Sequence, residues 1–143
     1  MIYLGALALG VVLHALVPLP WFSRPFADIL VAVGVLAVGA GVLLDVLAFR
    51  TLSREKTTIL PHKGSTHLVT GGPFAVTRNP IYVGNTLFLL GIGLIFGIAW
   101  LMLLAPLAAF ATQKLAIEPE ERHLEARFGK AFRDYRKRVR RWI

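Results

Sequence analysis

Residues 81–112 read IYVGNTLFLLGIGLIFGIAWLMLLAPLAAFAT, a run of 32 residues without a charged side chain. A single helix of that length would be about 48 Å long, far longer than the roughly 30 Å apolar core of a bilayer. Three glycines lie near the middle of the run, and basic residues flank both of its ends. Because basic flanks favour the cytoplasmic side, the run must cross a membrane an even number of times. The stretch therefore predicts a tight helical hairpin, roughly 81–95 and 98–113.

Two further apolar blocks precede this hairpin. Ile2–Val17 carries no charge, and Ile29–Phe49 spans 21 residues, which make a helix of about 30 Å. We therefore expect an all-α integral membrane protein with about four transmembrane helices, the last two forming the hairpin, and a C-terminal amphipathic helix. The chain is predicted to be a single membrane domain, residues 1–143, with two spans in 1–49 and the remaining elements in 50–143.

The composition favours a membrane protein over an ordinary soluble domain. Of the 143 residues, 56% are hydrophobic and 17% are charged, whereas soluble domains average roughly 45–50% and about 25%. The net charge of +8 arises mainly from two basic clusters, one before residue 79 and one from Lys114 onward. This distribution follows the positive-inside rule, so we expect both termini on the cytoplasmic side and no nucleic-acid partner. The chain has no cysteine, which excludes disulfides, thiol nucleophiles and thiolate metal sites.

The C-terminal segment carries a regular apolar pattern. Apolar side chains recur every three or four residues from Leu124 to Trp142, with Gly129 as the weak point, and the opposite face is rich in arginine. Such a pattern predicts an amphipathic helix, which we expect to lie on an anionic membrane surface. Glu118-Pro119-Glu120-Glu121 precedes this pattern and suits the first turn of a helix, where acidic residues complement the helix dipole.

The polar segment Arg78-Asn79-Pro80-Ile81-Tyr82, at the start of the hairpin, has two interpretations. In the structural one, Arg78 anchors the membrane end, Asn79 caps the helix and Pro80 is its first residue. In the functional one, the helix N–H groups, the Arg78 cation and the Tyr82 phenol bind an anionic group of a ligand. The two glutamates at 120 and 121 likewise either begin a helix or bind an ammonium or hydroxyl group of a ligand. The residues alone leave both interpretations open.

Asp45 interrupts the second apolar block. An intramembrane carboxylate is a functional candidate by default, and a shallow ion pair with Arg50 is the structural alternative. The sequence leaves both open. The four histidines lack the helical spacing of metal ligands, so we expect no metal site.

Three segments of the sequence occur in an order that resembles a known family. They are Thr66-His67-Leu68-Val69-Thr70-Gly71-Gly72-Pro73-Phe74, then Arg78-Asn79-Pro80-Ile81-Tyr82-Val83-Gly84, then Glu120-Glu121 with Phe128-Gly129-x-x-Phe132-x-x-Tyr135. The combination resembles the isoprenylcysteine carboxyl methyltransferase family of integral membrane enzymes, which includes phospholipid methyltransferase relatives and bacterial members. The resemblance covers roughly residues 50–142, and the combined string is specific although each piece alone is not.

The resemblance implies S-adenosyl-L-methionine as the methyl donor and a small lipophilic molecule or lipid as the acceptor, in a prokaryotic cytoplasmic membrane. The residues that it assigns to cofactor binding are Thr66, His67, Leu68, Val69, Phe74, Arg78, Asn79, Pro80, Ile81, Tyr82, Glu120 and Glu121. Eukaryotic isoprenylcysteine enzymes carry a substrate-binding arginine where this chain has Ala116, which argues against a prenylcysteine carboxylate as acceptor. No residue stands out as a general base.

Two other classes of function remain open from the sequence. One is a sterol-reductase-like membrane enzyme that uses a reduced nicotinamide. The other is a non-enzymatic membrane scaffold or transporter subunit, in which Asp45 and the glycines would be the important features. The sequence specifies neither the methyl acceptor nor the oligomeric state.

Overall fold

The structure, a computed structural model, describes residues 1–55 and 67–143. Within these two ranges the chain is helical and contains no β-strand, in agreement with the predicted all-α class. The α-helices are α1 (Ile2–Leu16), α2 (Phe26–Arg54), α3 (Pro80–Phe96), α4 (Ala99–Thr112), α5 (Glu118–Phe128) and α6 (Lys130–Arg138). A 3₁₀ turn, Gly72–Ala75, precedes α3, and a π turn, Gln113–Ile117, joins α4 to α5.

The long uncharged run forms two helices, α3 and α4, which pack against each other. Gly97 ends α3 with a φ of 68°, a left-handed conformation that glycine adopts without the steric cost of a side chain. The indole of Trp21 lies against Gly97, and Trp100 Nε1 donates a hydrogen bond of 2.8 Å to the carbonyl of Val17. The loop between α1 and α2 therefore covers the connection between α3 and α4.

The packing of α2 against α3 depends on two pairs of facing glycines. A Cβ atom added to Gly34 would lie 2.8 Å from the carbonyl oxygen of Gly91, and one added to Gly41 would lie 2.8 Å from that of Gly84. Both distances are shorter than van der Waals contact, so the two backbones approach each other as closely as small residues allow. The pairs are seven residues apart on each helix and run in opposite order, so the helices are antiparallel.

Asp45 lies in the same contact between α2 and α3. Its Oδ1 atom would be 2.6 Å from a Cβ atom on Gly84, and this atom is buried without a hydrogen-bond partner in the part of the chain that the structure describes. The alternative of a shallow ion pair with Arg50 is wrong, because the described ion pairs include none between these two residues. The role of this carboxylate stays open.

Two helices of the described ranges are long and apolar enough to cross a membrane, namely α2 and the continuous helix Ala99–Phe128 that contains α4 and α5. The other two apolar helices, α1 and α3, are shorter. Large apolar side chains such as Leu4 and Leu36 are exposed on the outer faces of α1 and α2. Those faces have the chemistry of a surface that contacts lipid.

The sequence predicts some helix boundaries incorrectly. No break precedes Glu118, because the π turn carries the helix from α4 into α5 without interruption. At the other side of the site, α2 continues past Phe49 to Arg54, so the first residues of the polar segment are helical. A change in polarity therefore does not coincide with a helix end in either place.

The prediction of one amphipathic helix on the membrane surface is wrong in two respects. Gly129, with a φ of 51°, divides the segment into α5 and α6. The apolar side chains of Phe132, Tyr135 and Val139 are buried and pack with Leu68, Leu124 and Phe128 instead of facing lipid. A helical period identifies the apolar face of a segment, but it cannot tell a lipid-facing surface from one that packs against protein.

Candidate functional site

A cavity of about 240 Å³ lies where the ends of α2, α3 and α5 meet α6. Eleven of the twelve residues that the sequence predicts as site residues line it, namely His67, Leu68, Val69, Phe74, Arg78, Asn79, Pro80, Ile81, Tyr82, Glu120 and Glu121. The twelfth, Thr66, lies outside the described residues. Segments about 40 positions apart in the sequence are thus brought to one cavity.

Five further residues line the cavity that the sequence did not predict as site residues: Leu52, Ile117, Leu124, Phe132 and Tyr135. Phe132 and Tyr135 do belong to the third segment of the resemblance, but their helical spacing suggested a membrane-facing stripe instead. Their place in that segment was the signal that could have identified them. Leu52 offered no signal, because it follows the predicted end of its apolar block.

The turn before α3 is held by hydrogen bonds to the C-terminal end of the described chain. Asn79 is the N-cap residue and Pro80 the first residue of α3, as the structural interpretation predicts, but the Asn79 side chain makes no capping hydrogen bond. Its Nδ2 atom instead donates a bond of 3.0 Å to the carbonyl oxygen of Arg141. The buried hydroxyl of Thr77 donates a bond of 3.2 Å to that same oxygen and accepts one of 3.2 Å from the N–H of Asn79.

Tyr135 joins α6 to the 3₁₀ turn. Its hydroxyl donates a short hydrogen bond of 2.6 Å to the carbonyl oxygen of Phe74. Burial raises the pKa of Tyr135 to about 12, although the nearby Arg78 cation opposes this shift. The phenol is therefore neutral at physiological pH and acts as a hydrogen-bond donor that fixes one wall of the cavity.

Glu121 is buried between two arginines. Arg141 donates two hydrogen bonds to it, from Nε to Oε1 at 3.1 Å and from Nη2 to Oε2 at 2.8 Å. Arg78 Nη1 lies 3.1 Å from Oε1, and the side chains of Arg78 and Glu121 are only 9% and 11% exposed. Burial lowers the pKa of Arg78 and the Glu121 carboxylate opposes that effect, whereas the hydrogen bonds that Arg141 donates to Glu121 raise the pKa of Arg141.

Arg78 has two buried donors that no group of the described residues satisfies. Within residues 1–55 and 67–143, its Nε and Nη1 atoms have no hydrogen-bond partner, because the ion-pair contact of Nη1 with Glu121 lacks hydrogen-bond geometry. Buried donors are normally paired, so Arg78, which lines the cavity, is a candidate to bind an anionic or strongly accepting group of a ligand. The carboxylate of Glu120 and the aromatic rings of Phe74 and Tyr82 line the same cavity. The site can therefore receive a ligand that carries both an anionic and a cationic group.

A second network ties α1 to α3 close to Tyr82. The hydroxyl of Tyr3 shares a hydrogen bond of 2.7 Å with Thr86 Oγ1 and lies 3.3 Å from the carbonyl oxygen of Tyr82. Thr86 Oγ1 also donates to that carbonyl at 2.8 Å. This network fixes the first turns of α3, which carry Tyr82 into the cavity.

The fold and the site define a helical, membrane-associated protein with a ligand cavity at the polar end of its apolar helices. The family model described as phospholipid methyltransferase matches residues 29–131, more than two thirds of the chain. The chain therefore belongs to the phospholipid methyltransferase family, which confirms the family expected from its motifs. No curated protein and no solved structure matches it significantly. The family match extends from α2 into the first turn of α6 and does not include Tyr135 or Arg141.

Proposed function

We propose that the chain is a membrane-embedded methyltransferase that transfers the methyl group of S-adenosylmethionine to a small lipophilic or lipid acceptor. One observation carries this proposal. Eleven residues that the motifs assign to the methyl donor, drawn from all three segments of the resemblance, line a single cavity. Membership of the phospholipid methyltransferase family supports a methyltransferase that works on a lipid-like substrate.

The residues around the cavity fit the chemical groups of this donor. The unpartnered Nε and Nη1 atoms of Arg78 suit a carboxylate, because a charge-assisted hydrogen bond would satisfy them. The carboxylate of Glu120 suits the ammonium group or the ribose hydroxyls. The rings of Phe74 and Tyr82 offer π faces to a cationic sulfonium. Leu68 and Val69 add apolar surface for the adenine ring.

When bound near Arg78 and Glu120, the donor would supply an electrophilic methyl group on a cationic sulfur, with the thioether as the leaving group. Such a transfer needs alignment and exclusion of water more than covalent help from the protein. Arg78 and Glu120 would orient the polar groups at the two ends of the reaction centre. The buried side chains of Phe132 and Tyr135 keep water from one wall of the cavity. No general base is assigned.

We further propose that α1 to α4 are four membrane crossings, with α3 and α4 as a hairpin, in a prokaryotic cytoplasmic membrane. The helices α1 and α3 contain 15 and 17 residues, which make about 22 and 25 Å and require local thinning of the bilayer. Both termini and the cavity would face the cytoplasm, where a water-soluble donor is available. Residues 1–143 would form one domain, with two spans in 1–49 and the site in 50–143.

The test is ligand binding to the purified full chain in detergent. We expect S-adenosylhomocysteine, the product of the donor, to raise the melting temperature, and a reduced nicotinamide to have no effect. Glu120→Gln should weaken binding by about tenfold or more, the order expected for losing one charge-assisted hydrogen bond. Glu125→Gln is the matched control, since Glu125 lies on the same helix, outside the cavity, and pairs with Arg136.

The other results each contradict the proposal. Stabilisation by the nicotinamide alone would favour a reductase, and stabilisation by neither ligand would favour a scaffold or transporter subunit. Where S-adenosylhomocysteine binds, transfer of a labelled methyl group into a membrane extract then identifies the acceptor. Absence of label from every lipophilic fraction would contradict the proposed acceptor class.

A further inference from the structure

Residues 139–142, which we call the C-terminal strap, lie across the turn that precedes α3. The N–H of Arg78 donates a hydrogen bond of 3.0 Å to the carbonyl oxygen of Arg140. The carbonyl oxygen of Arg141 accepts the bonds from Thr77 and Asn79 described above. The strap is therefore attached to this turn through its backbone carbonyl oxygens, and substitution of its side chains does not remove these acceptors.

The strap is also fixed to the helix that carries the glutamates. Trp142 Nε1 donates a hydrogen bond of 2.9 Å to Oε1 of Gln113, in the π turn. The backbone of the strap is bonded to the turn before α3, and Trp142 is bonded to the π turn. These two attachments position the guanidinium of Arg141 next to Glu121. Arg141 does not line the cavity, so any effect that it has on a ligand must pass through another residue.

Arg141 and Arg78 compete for one carboxylate. Arg141 takes both oxygens of Glu121 in a two-point pair, whereas Arg78 lies 3.1 Å from Oε1 without a hydrogen bond. A buried carboxylate released from Arg141 would take hydrogen bonds from the nearest cation, which is Arg78. The two-point pair thus keeps Glu121 from taking hydrogen bonds from the guanidinium of Arg78, a residue that lines the cavity.

We infer that Arg141 is a positioning residue of the ligand site, because by occupying Glu121 it keeps the guanidinium of Arg78, which lines the cavity, available for the anionic group of a ligand. This inference rests on the proposed function, in which that group is the carboxylate of the methyl donor. It assigns separate roles to the adjacent glutamates. Glu120 faces the ligand, and Glu121 serves as the partner that Arg141 must hold.

The inference predicts that two substitutions compensate each other. In Arg141→Gln, Glu121 is free to bind Arg78, and affinity for S-adenosylhomocysteine should fall by about tenfold or more, the order of one charge-assisted hydrogen bond. In the double variant Glu121→Gln with Arg141→Gln, no carboxylate competes for Arg78, so most of the affinity should return. A merely structural role for Arg141 predicts the opposite, because the double variant removes both partners of the buried pair.

The experiment is calorimetric titration of the full chain in detergent with S-adenosylhomocysteine, with thermal unfolding of each variant measured without ligand. Arg140→Gln is the matched control, since it removes the same charge from an exposed neighbouring side chain and keeps the backbone bond to Arg78. Arg141→Lys, which keeps the charge without the two-point geometry, should show intermediate affinity.

The outcomes separate the inference from the proposed function. If the wild type fails to bind S-adenosylhomocysteine, the proposed function fails first. If the wild type binds and Arg141→Gln binds equally well, the positioning role is overturned while the proposed function stands. The positioning role is also overturned if the double variant binds as weakly as Arg141→Gln although both variants unfold at similar temperatures. Recovery of affinity without recovery of thermal stability supports the role of Arg141.

Discussion

The apolar half of the molecule and its polar end are held together in different ways. In the apolar half, α2 and α3 contact each other through backbone atoms at facing glycines such as Gly41 and Gly84. At the polar end, the strap, α5 and the turn before α3 contact each other through charged and polar side chains, as in the pair of Glu121 with Arg141. In the apolar half, the close helix contact requires glycines without a side chain. At the polar end, the contacts require particular polar side-chain atoms.

This difference separates what holds the scaffold from what shapes the site. Helices in lipid gain no hydrophobic energy by packing together, so close backbone contact must stabilise them. The polar end buries charged groups that are costly unless paired, so one missing partner changes what the remaining groups bind. Substitutions in the apolar half should therefore affect stability, and those at the polar end should affect both stability and ligand binding.

The largest effect on stability is expected at the glycine contact. Gly41→Ala places a Cβ atom 2.8 Å from the carbonyl oxygen of Gly84, and backbone atoms cannot move aside without separating the helices. We expect a loss of about 2 kcal/mol, typical of overpacking. Gly39→Ala is the control on the same helix, because a Cβ atom there meets nothing within 4 Å. Denaturant titration in detergent micelles measures both, and equal stability of the two variants would contradict the close contact of α2 and α3.

A smaller effect is expected at the polar end from Tyr135→Phe. This variant loses the hydrogen bond to the carbonyl oxygen of Phe74 and leaves that buried acceptor without this partner. The expected loss is about 1 kcal/mol in the free energy of unfolding. Chemical unfolding at neutral pH tests it, and an unchanged midpoint would show that this bond contributes nothing net.

The same variant provides a test by pH. The pKa of Tyr135 is raised from an ordinary value near 10 to about 12 in the folded protein, since burial favours the neutral phenol. Its contribution to stability is therefore complete below about pH 10 and is lost as the pH rises toward about 12. Wild-type protein should lose more stability across that interval than Tyr135→Phe does. Parallel loss in the two proteins would contradict the burial of this phenol.

The smallest effect is expected at the opposite end of the helices from Arg24→Gln. Arg24 Nε lies 3.4 Å from Asp28 Oδ1, but the side chains are 85% and 59% exposed. Exposed ion pairs contribute little because water and salt screen them, so the change should stay within about 0.5 kcal/mol. The measurement is thermal unfolding at low and high salt. A large salt-dependent loss would contradict the small contribution expected of this exposed ion pair.

Much of the helical framework could be predicted from local sequence. Apolar runs predicted the approximate bounds of α1, α3 and α4, and Gly97, which ends α3, lies between the two predicted arms 81–95 and 98–113. The contacts between the helices could not be predicted, because a glycine in an apolar helix does not indicate which helix it faces. Gly34 and Gly91, for example, are 57 positions apart in the sequence, and no local pattern predicts that they contact each other.

The candidate site shows a similar division. The motifs identified residues that the fold gathers around one cavity, because each motif is a short continuous segment. They did not identify Thr77 or Arg141, whose contact joins positions 64 residues apart. The inward orientation of Phe132 was also missed, because lipid and a protein core accept the same side chains. Burial against a particular neighbour is a tertiary property that the helical period does not contain.

The π turn between α4 and α5 has a consequence for comparing this chain with others. A π turn holds about one residue more than an α turn, so Gln113–Ile117 contains a one-residue excess within an otherwise continuous helix. If the same number of residues formed a regular α-helix, Glu120 would point about 100° away, around the helix axis, from the direction it has in this structure. A relative that has a regular α-helix here and keeps its glutamate facing the cavity would have one residue fewer between the positions of Thr112 and Glu118. Aligned without a gap, its cavity-facing glutamate would be matched to the wrong position of this chain.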